Sequence, residues 1–96
     1  MEAAVYASVR VYDNGDLADY LAEHRSEVLD VIGAIAGFKA YHLIKTGEGT
    51  VSVSVFDSED AAAESTAKAA AWLKDNPPDF ELSAPRVFAG EVVVES

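Results

Sequence analysis

The sequence predicts an α+β protein in which a four-stranded antiparallel sheet carries both helices on one face, in the element order βαββαβ. Three observations lead to this prediction. Apolar and polar residues alternate in segments typical of strands, two segments have the spacing of amphipathic helices, and a short glycine-containing connection joins two of the strands. Right-handed crossovers would place the first and third strands in the middle of the sheet.

The first strand is predicted over residues 4–12, where two rows of side chains alternate. One row holds Val5, Ala7, Val9 and Val11, and the other holds Tyr6, Ser8, Arg10 and Tyr12. Turn residues follow, and Asn14 or Asp16 is expected to cap a helix that reaches about Gly33. Apolar residues recur at spacings of three and four along this helix, so we expect one buried face with His24 as a core residue on it.

The second strand is predicted over residues 37–45, and residues 46–49 form a hairpin connection to a third strand at residues 51–56. Because a slip of one residue reverses every side chain, the length of this connection decides the sheet face of His42. A connection of two or four residues puts His42 beside Val53, on the face expected to carry the helices. A connection of three or five residues puts it on the other face.

The second helix is predicted to begin after a cap at Asp57 or Ser58 and to run to about Asp75. Its predicted buried line is formed mostly by small side chains, which let the helix lie close to the sheet: Ala62, Thr66, Ala69 and Leu73. Pro77 and Pro78 end the helix, since proline disfavours helical backbone in the preceding residue and donates no hydrogen bond. Residues 86–94 form the last predicted strand.

Residues 1–96 are thus expected to form one domain, a ferredoxin-like plait, and the composition excludes several functions for it. The chain has no cysteine, which removes disulfides, thiolate nucleophiles and cysteine-ligated metal sites. Its 17 acidic and 7 basic residues give a net charge of -10, which disfavours binding to nucleic acid or to anionic lipid. No apolar run approaches the roughly 20 residues of a membrane span, so a cytoplasmic protein is expected.

The sheet is predicted to have apolar residues on both faces. We assign the valine rows of the first and third strands to the face that the helices cover. The other face would then carry Tyr6, Tyr12 and Phe56 with Ser8, Ser52 and Ser54. An exposed apolar face of this extent usually marks an interface or a ligand site. We therefore predict a homodimer in which two sheets face each other, with a cavity between each sheet and its partner.

Several segments resemble the dimeric α/β-barrel superfamily, and within it they are most similar to antibiotic-biosynthesis-monooxygenase-like proteins. The segments are GFKAYHLI before the hairpin, SVFDSEDAAAES at the start of the second helix, the A-x-x-W of Ala69 to Trp72, and the closing AGEVVV. The resemblance spans nearly the whole chain. It implies a homodimer from a family in which some members oxidise aromatic polyketides or quinols without metal or flavin, others open haem, and many have no known activity.

The functional residues of the family do not transfer to this chain. Haem-opening members use an asparagine on the first strand and a tryptophan and a histidine on the second helix, whereas this first strand has no asparagine and this second helix has no histidine. Ring-oxidising members place asparagine and tryptophan on the third strand, where this chain has Ser52, Ser54 and Phe56. No haem, other cofactor or metal is therefore expected.

The remaining candidate catalytic residue is His42, which could act as a general base if it shared a cavity with Tyr6, Tyr12 or Arg10. The candidate residues for binding a planar aromatic ligand are Tyr6, Arg10, Tyr12, Tyr41, Phe56 and Trp72. Structural alternatives stand beside these roles. Trp72 could pack on the sheet edge or on the loop after Pro78, and Arg10 could form a salt bridge with Glu91.

Two functions are consistent with this sequence. The first is a small homodimeric enzyme that resembles cofactor-independent monooxygenases and oxidises an aromatic or quinone-like molecule in the cavity. The second is a non-catalytic dimeric module of the same fold that binds a ligand or acts as an accessory protein.

Overall fold

The computed structural model describes residues 4–95 and contains four strands and three helices in that range. The predicted βαββαβ order is confirmed, except that the first helix is divided in two. The elements in chain order are β1 (Tyr6–Tyr12), α1 (Asp16–Glu23), α2 (Arg25–Gly33), β2 (Phe38–Lys45), β3 (Thr50–Phe56), α3 (Glu59–Asp75) and β4 (Arg86–Glu91).

The four strands form one antiparallel sheet in the order β2-β3-β1-β4, so the predicted central position of the first and third strands is confirmed. Arg10 of β1 lies opposite Ser52 of β3 and Val87 of β4. Lys45 pairs with Thr50, which leaves a four-residue connection between β2 and β3 and puts His42 opposite Val53.

The assignment of the two sheet faces was wrong. The face under the helices carries a largely polar set of buried residues: Ser8, Arg10, Tyr12, Thr50, Ser52, Ser54 and Phe56. The valine rows of β1 and β3 lie on the opposite, open face and are only half-buried. A polar row of strand residues can lie under the helices because α3 also carries hydroxyl groups on this side. The hydroxyl oxygens of Thr66 and Ser8 are hydrogen-bonded at 2.8 Å. Short serine side chains also allow an alanine-rich helix to approach closely.

The first helix breaks at His24, where the backbone has φ -108° and ψ 26°. The His24 amide donates to the carbonyl oxygen of Leu21 at 3.1 Å, which tightens the last turn of α1 before α2 begins. His24 is not a core residue, because its side chain is partly exposed and its Nδ1 lies 3.2 Å from Glu27 Oε2. Gly15 occupies the N-cap position of α1, while Asn14 Oδ1 accepts from the Asp16 amide at 2.8 Å.

The boundaries of α3 are close to those predicted from the sequence. Ser58 Oγ accepts a hydrogen bond from the Ala61 amide at 3.1 Å and caps the helix. At the other end, the Asn76 side-chain amide donates to the Trp72 carbonyl oxygen at 3.0 Å. β4 ends at Glu91, three residues before the predicted boundary, although the Val92 amide still donates to the Val5 carbonyl oxygen at 2.7 Å.

The hydrophobic core lies between the helices and the sheet. It is formed by apolar residues of α1, of α2 and of the turn after α2, by aromatic residues of the sheet and by small residues of α3: Leu17, Leu21, Val28, Ile32, Ile35, Tyr12, Phe56, Ala61 and Ala62. Within residues 4–95, no helix has the length and apolar character needed to cross a membrane.

Candidate functional site

A pocket lies between the helices and the sheet, on the face opposite to the one expected from the sequence. Its floor is formed by strand residues Arg10, Tyr12, Tyr41 and Ser52. Its walls are formed by apolar residues of α1 and α2 and by one side of α3: Leu21, Val28, Val31, Ile32, Ala69, Trp72 and Leu73. The free volume is about 30 Å³. This space holds only about two or three water molecules, since one needs about 10–15 Å³.

Arg10 supplies a buried positive charge at the floor of the pocket, with 2% of its surface exposed. Its Nη1 and Nη2 donate to Ser65 Oγ and Ser54 Oγ, both at 3.4 Å, and its Nε has no hydrogen-bond partner. Across the described part of the chain, the ion pairs join Lys45 to Asp19 and His24 to Glu27, so neither includes Arg10. The predicted salt bridge with Glu91 is therefore not formed.

Two tyrosines beside Arg10 have raised pKa values. Burial raises the pKa of Tyr12 above its ordinary value, and the positive charge of Arg10 offsets only part of this effect. Burial likewise raises the pKa of Tyr41, against the opposing influence of Arg10. At neutral pH both phenols are hydroxyl groups that can donate a hydrogen bond into the pocket.

Trp72 connects the pocket wall to an aromatic cluster at the helix ends. Its ring centroid lies 6.0 Å from that of Tyr20 and 5.6 Å from that of His24. Tyr20 in turn lies 6.5 Å from Phe80, which follows the two prolines, and donates from its hydroxyl to the Asn76 carbonyl oxygen at 2.6 Å. Trp72 is thus held from one side and borders the pocket with the other.

The structure brings four of the predicted ligand-binding residues together and separates the other two. Arg10, Tyr12, Tyr41 and Trp72 line the pocket. Phe56 is fully buried elsewhere in the core and packs against Phe38, with ring centroids 6.0 Å apart. Tyr6 lies toward the other end of β1, opposite Phe56 and Glu91.

His42 lies on the open face of the sheet, so it does not share a cavity with Arg10 and Tyr12. Its register partner, Val53, lies on that same face. The prediction that a four-residue connection puts His42 beside Val53 is confirmed. The predicted face was wrong, because His42 and Val53 point away from the helices. Nothing in the described pocket lining is a histidine or a carboxylate.

Two serines beside Arg10, Ser52 and Ser65, were not among the site residues predicted from the sequence. Ser52 lies directly opposite Arg10, and Ser65 reaches it from α3. The position of Ser65 among the buried alanines of α3 was the available signal, because a polar residue on the covered side of a helix needs a partner there.

No protein-family model matches the sequence, and no curated protein sequence matches it. Solved structures do match. The haem-degrading protein MhuD from Mycobacterium tuberculosis has a TM-score of 0.63 at 17% identity, over 96% of this chain and 98% of that one. The structure has the fold of the antibiotic-biosynthesis-monooxygenase-like proteins.

Two further solved structures support the same fold. A candidate antibiotic biosynthesis monooxygenase from Chloroflexus aurantiacus has a TM-score of 0.63 at 13% identity, covering 96% of each chain. The N63A mutant of SnoaB, a cofactor-independent oxygenase from Streptomyces nogalater, has a TM-score of 0.56 at 14% identity, over 99% of this chain and 96% of that one. At these identities the likeness concerns the fold, and the chemistry must be argued from the pocket.

The pocket does not fit a haem, although MhuD degrades haem. Its lining offers no histidine, cysteine or methionine as an axial ligand for the haem iron. Tyr12 and Tyr41 are poor substitutes, because their raised pKa values disfavour the phenolate that iron would require.

Proposed function

We propose that the protein uses dioxygen to oxidise an electron-rich aromatic or quinone-like molecule, without a cofactor, in the pocket between the helices and the sheet. The observation that carries this proposal is the pocket itself, in which apolar walls and the Trp72 ring stand over a floor of buried hydrogen-bond donors. The fold shared with SnoaB, a cofactor-independent oxygenase, supports this class of reaction.

The reaction that suits such a site is the oxidation of a methylene group held between two aromatic rings. One atom of dioxygen becomes the ketone oxygen, and the other leaves as water with the two methylene hydrogens. The substrate itself therefore supplies all the electrons. The ionised substrate gives electron density to dioxygen, a carbon–oxygen bond forms, and the peroxide loses water. The apolar walls would exclude bulk water from this intermediate.

A ring-sized ligand requires the pocket to open. A cavity that admits benzene is about 150 Å³, whereas the free volume here is about 30 Å³. Trp72 and Leu73 are only half-buried, and α1 and α2 meet at the irregular backbone of His24. These are the parts of the wall that could move without unfolding the sheet.

An oxygen electrode and mass spectrometry would test the proposal on an aerated panel of hydroquinones and anthrones. We expect oxygen consumption with formation of the ketone from the anthrones, and of the quinone and hydrogen peroxide from the hydroquinones. We expect Tyr41→Phe to slow this reaction by removing a donor from the pocket floor. His42→Ala is the matched control, because His42 lies on the opposite face. Equal effects of the two substitutions would argue against this pocket as the site of reaction.

The second candidate function is a non-catalytic ligand-binding module. It is favoured by the pocket lining, which among the described residues includes no histidine or carboxylate to remove a proton from a substrate. Binding of the same aromatic molecules without oxygen consumption would support the module over the enzyme.

We also infer that two copies associate through the open faces of their sheets. The open face carries apolar residues from all four strands, including Ile44 and Phe88, which are 45% and 55% exposed. None of the residues that the strand registers place on this face is acidic, although the chain has 17 acidic residues. Depletion of charge is typical of the buried core of an interface.

Light scattering coupled to gel filtration would test this association. We expect a dimer for the natural sequence and a 10.2 kDa monomer for Val53→Asp, which puts a carboxylate in the middle of the open face. Ala70→Asp on the exposed side of α3 is the control for added charge and should remain dimeric. A natural protein that stays monomeric at micromolar concentration would contradict the inference. The predicted cytoplasmic location stays a prediction.

A further inference from the structure

The pocket floor contains two buried polar atoms that have no hydrogen-bond partner within 3.5 Å, Arg10 Nε and Ser52 Oγ, and the Tyr41 phenol lies close to both residues. The two residues face each other across β1 and β3, and both line the pocket. Most buried polar groups in native proteins are hydrogen-bonded, so an unsatisfied pair at one place requires an explanation. One oxygen atom placed between the two residues could form a hydrogen bond with both atoms.

The unpaired charge of Arg10 also supports the binding of a ligand oxygen at this point. The hydrogen bonds of Arg10 within 3.5 Å are to two neutral serine hydroxyls, both at 3.4 Å, which is long for hydrogen bonds. The neutral phenols of Tyr12 and Tyr41 lie close to it, and no carboxylate in the described range pairs with it. Burial of a guanidinium without a counter-charge is costly, and a hydrophobic side chain of similar size would be more favourable for folding. The positive charge of Arg10 is therefore not balanced by an acidic side chain in the described residues.

The chemistry of the floor defines the ligand atom that would fit. Arg10 Nε and the hydroxyls of Ser52, Tyr12 and Tyr41 can all donate hydrogen bonds, and none of them takes up a proton at neutral pH. Such a set suits an oxygen that only accepts hydrogen bonds and carries negative charge. The apolar walls above the floor suit a ring attached to that oxygen, and they do not suit a hydrated inorganic anion.

We propose that Arg10 and Ser52 form an oxyanion site that binds the ionised oxygen of an aromatic phenolate or enolate. This inference rests on the proposed function and deepens it by naming the residues that bind the ionised oxygen of the substrate. The phenol or enol loses its proton to the buffer as it binds, so the pocket needs no general base. Ionisation also raises the electron density of the ring, which the proposed reaction with dioxygen requires.

Two probes of the same ring test this site by absorbance titration. In 4-nitrophenol the ring carries an ionisable hydroxyl whose phenolate is coloured, whereas 4-nitroanisole has a methyl ether there. An adjacent opposite charge lowers the pKa of an acid by about one to three units. We expect the bound nitrophenol to ionise at a pH about one unit or more lower than in water, and to bind about tenfold or more tightly than nitroanisole.

Arg10→Met is the decisive variant, because it keeps the length of the side chain and removes its charge. We expect it to abolish the preference for phenolate while raising the melting temperature, since the uncompensated buried charge is gone. Ser52→Ala should weaken phenolate binding by a smaller factor. Arg25→Met is the matched control, because it removes the same charge from the exposed surface of α2 and should leave phenolate binding unchanged.

The outcomes separate this inference from the proposed function. Equal binding of the two probes, or a phenolate preference that survives Arg10→Met, overturns the oxyanion site and leaves an aromatic pocket. A lower melting temperature for Arg10→Met also counts against it, because it would show that the serine contacts make Arg10 structural. Phenolate binding without oxygen consumption supports the oxyanion site and contradicts the proposed oxidation reaction. Failure of both probes to bind overturns both.

Discussion

The hydroxyl oxygens of Ser8 and Thr66 lie 2.8 Å apart and join the central strand β1 to α3. This contact shows how a helix that is mostly alanine is held on a sheet face that is mostly hydroxyl groups. Hydrogen bonds and close approach take the place of large apolar side chains between these two elements.

Removing either hydroxyl is expected to destabilise the fold. Ser8→Ala and Thr66→Val should each lower the free energy of unfolding by about 1 kcal/mol, because each leaves its partner unsatisfied. The double variant should cost less than the sum of the two, since neither hydroxyl is then left alone. Urea unfolding of the four proteins measures this coupling, and strictly additive losses would show that the hydrogen bond does not contribute.

The sequence was sufficient to predict the topology for identifiable reasons. The alternation in β1 and β3, the cap expected at Asp57 or Ser58, the prolines after α3 and the glycine-containing connection each constrain one element, and they agree with one another. The break at His24 could not be predicted, because the apolar spacing continues through it.

The candidate site could be predicted only in part, because alternation separates two rows of side chains but does not say which row is covered. The usual expectation that valine is inside placed Val9 and Val53 under the helices, whereas Arg10 and Ser52 lie there. Which row the helices cover depends on contacts between residues that are far apart in the sequence, such as Arg10 of β1 and Ser65 of α3. The composition of the pocket was thus partly recognised, and its location was not.

The connection between β2 and β3 should tolerate substitution at one glycine and not at the other. A Cβ atom at Gly49 would overlap the backbone carbonyl of Tyr12, which cannot move away without disturbing β1. We expect Gly49→Ala to destabilise the protein by about 1–3 kcal/mol, the range typical of overpacking. Gly47 has open space around its Cβ position, so Gly47→Ala is the control and should be nearly neutral in thermal unfolding.

The stability of the fold should fall at alkaline pH through the buried phenols. Burial raises the pKa of Tyr41 in the folded state above the value of 10.0 for a free tyrosine. The neutral phenol is then favoured by folding, so its contribution is fully present below pH 10 and is lost as the pH rises through the folded pKa. Tyr41→Phe should therefore lose less stability than the natural protein between pH 9 and pH 11. Parallel losses in thermal unfolding would contradict the raised pKa.

The narrowness of the pocket predicts that its wall limits ligand entry. If an open state is populated at about 1–10%, the apparent association rate of a ring is reduced by that fraction. Leu73→Ala shortens a half-buried wall residue and should raise the association rate by roughly tenfold, although it lowers stability. Stopped-flow quenching of Trp72, the sole tryptophan, by 4-nitrophenol measures this rate. Leu29→Ala makes the same change at a residue that is 42% exposed and outside the pocket, so an equal acceleration there would contradict wall-limited entry.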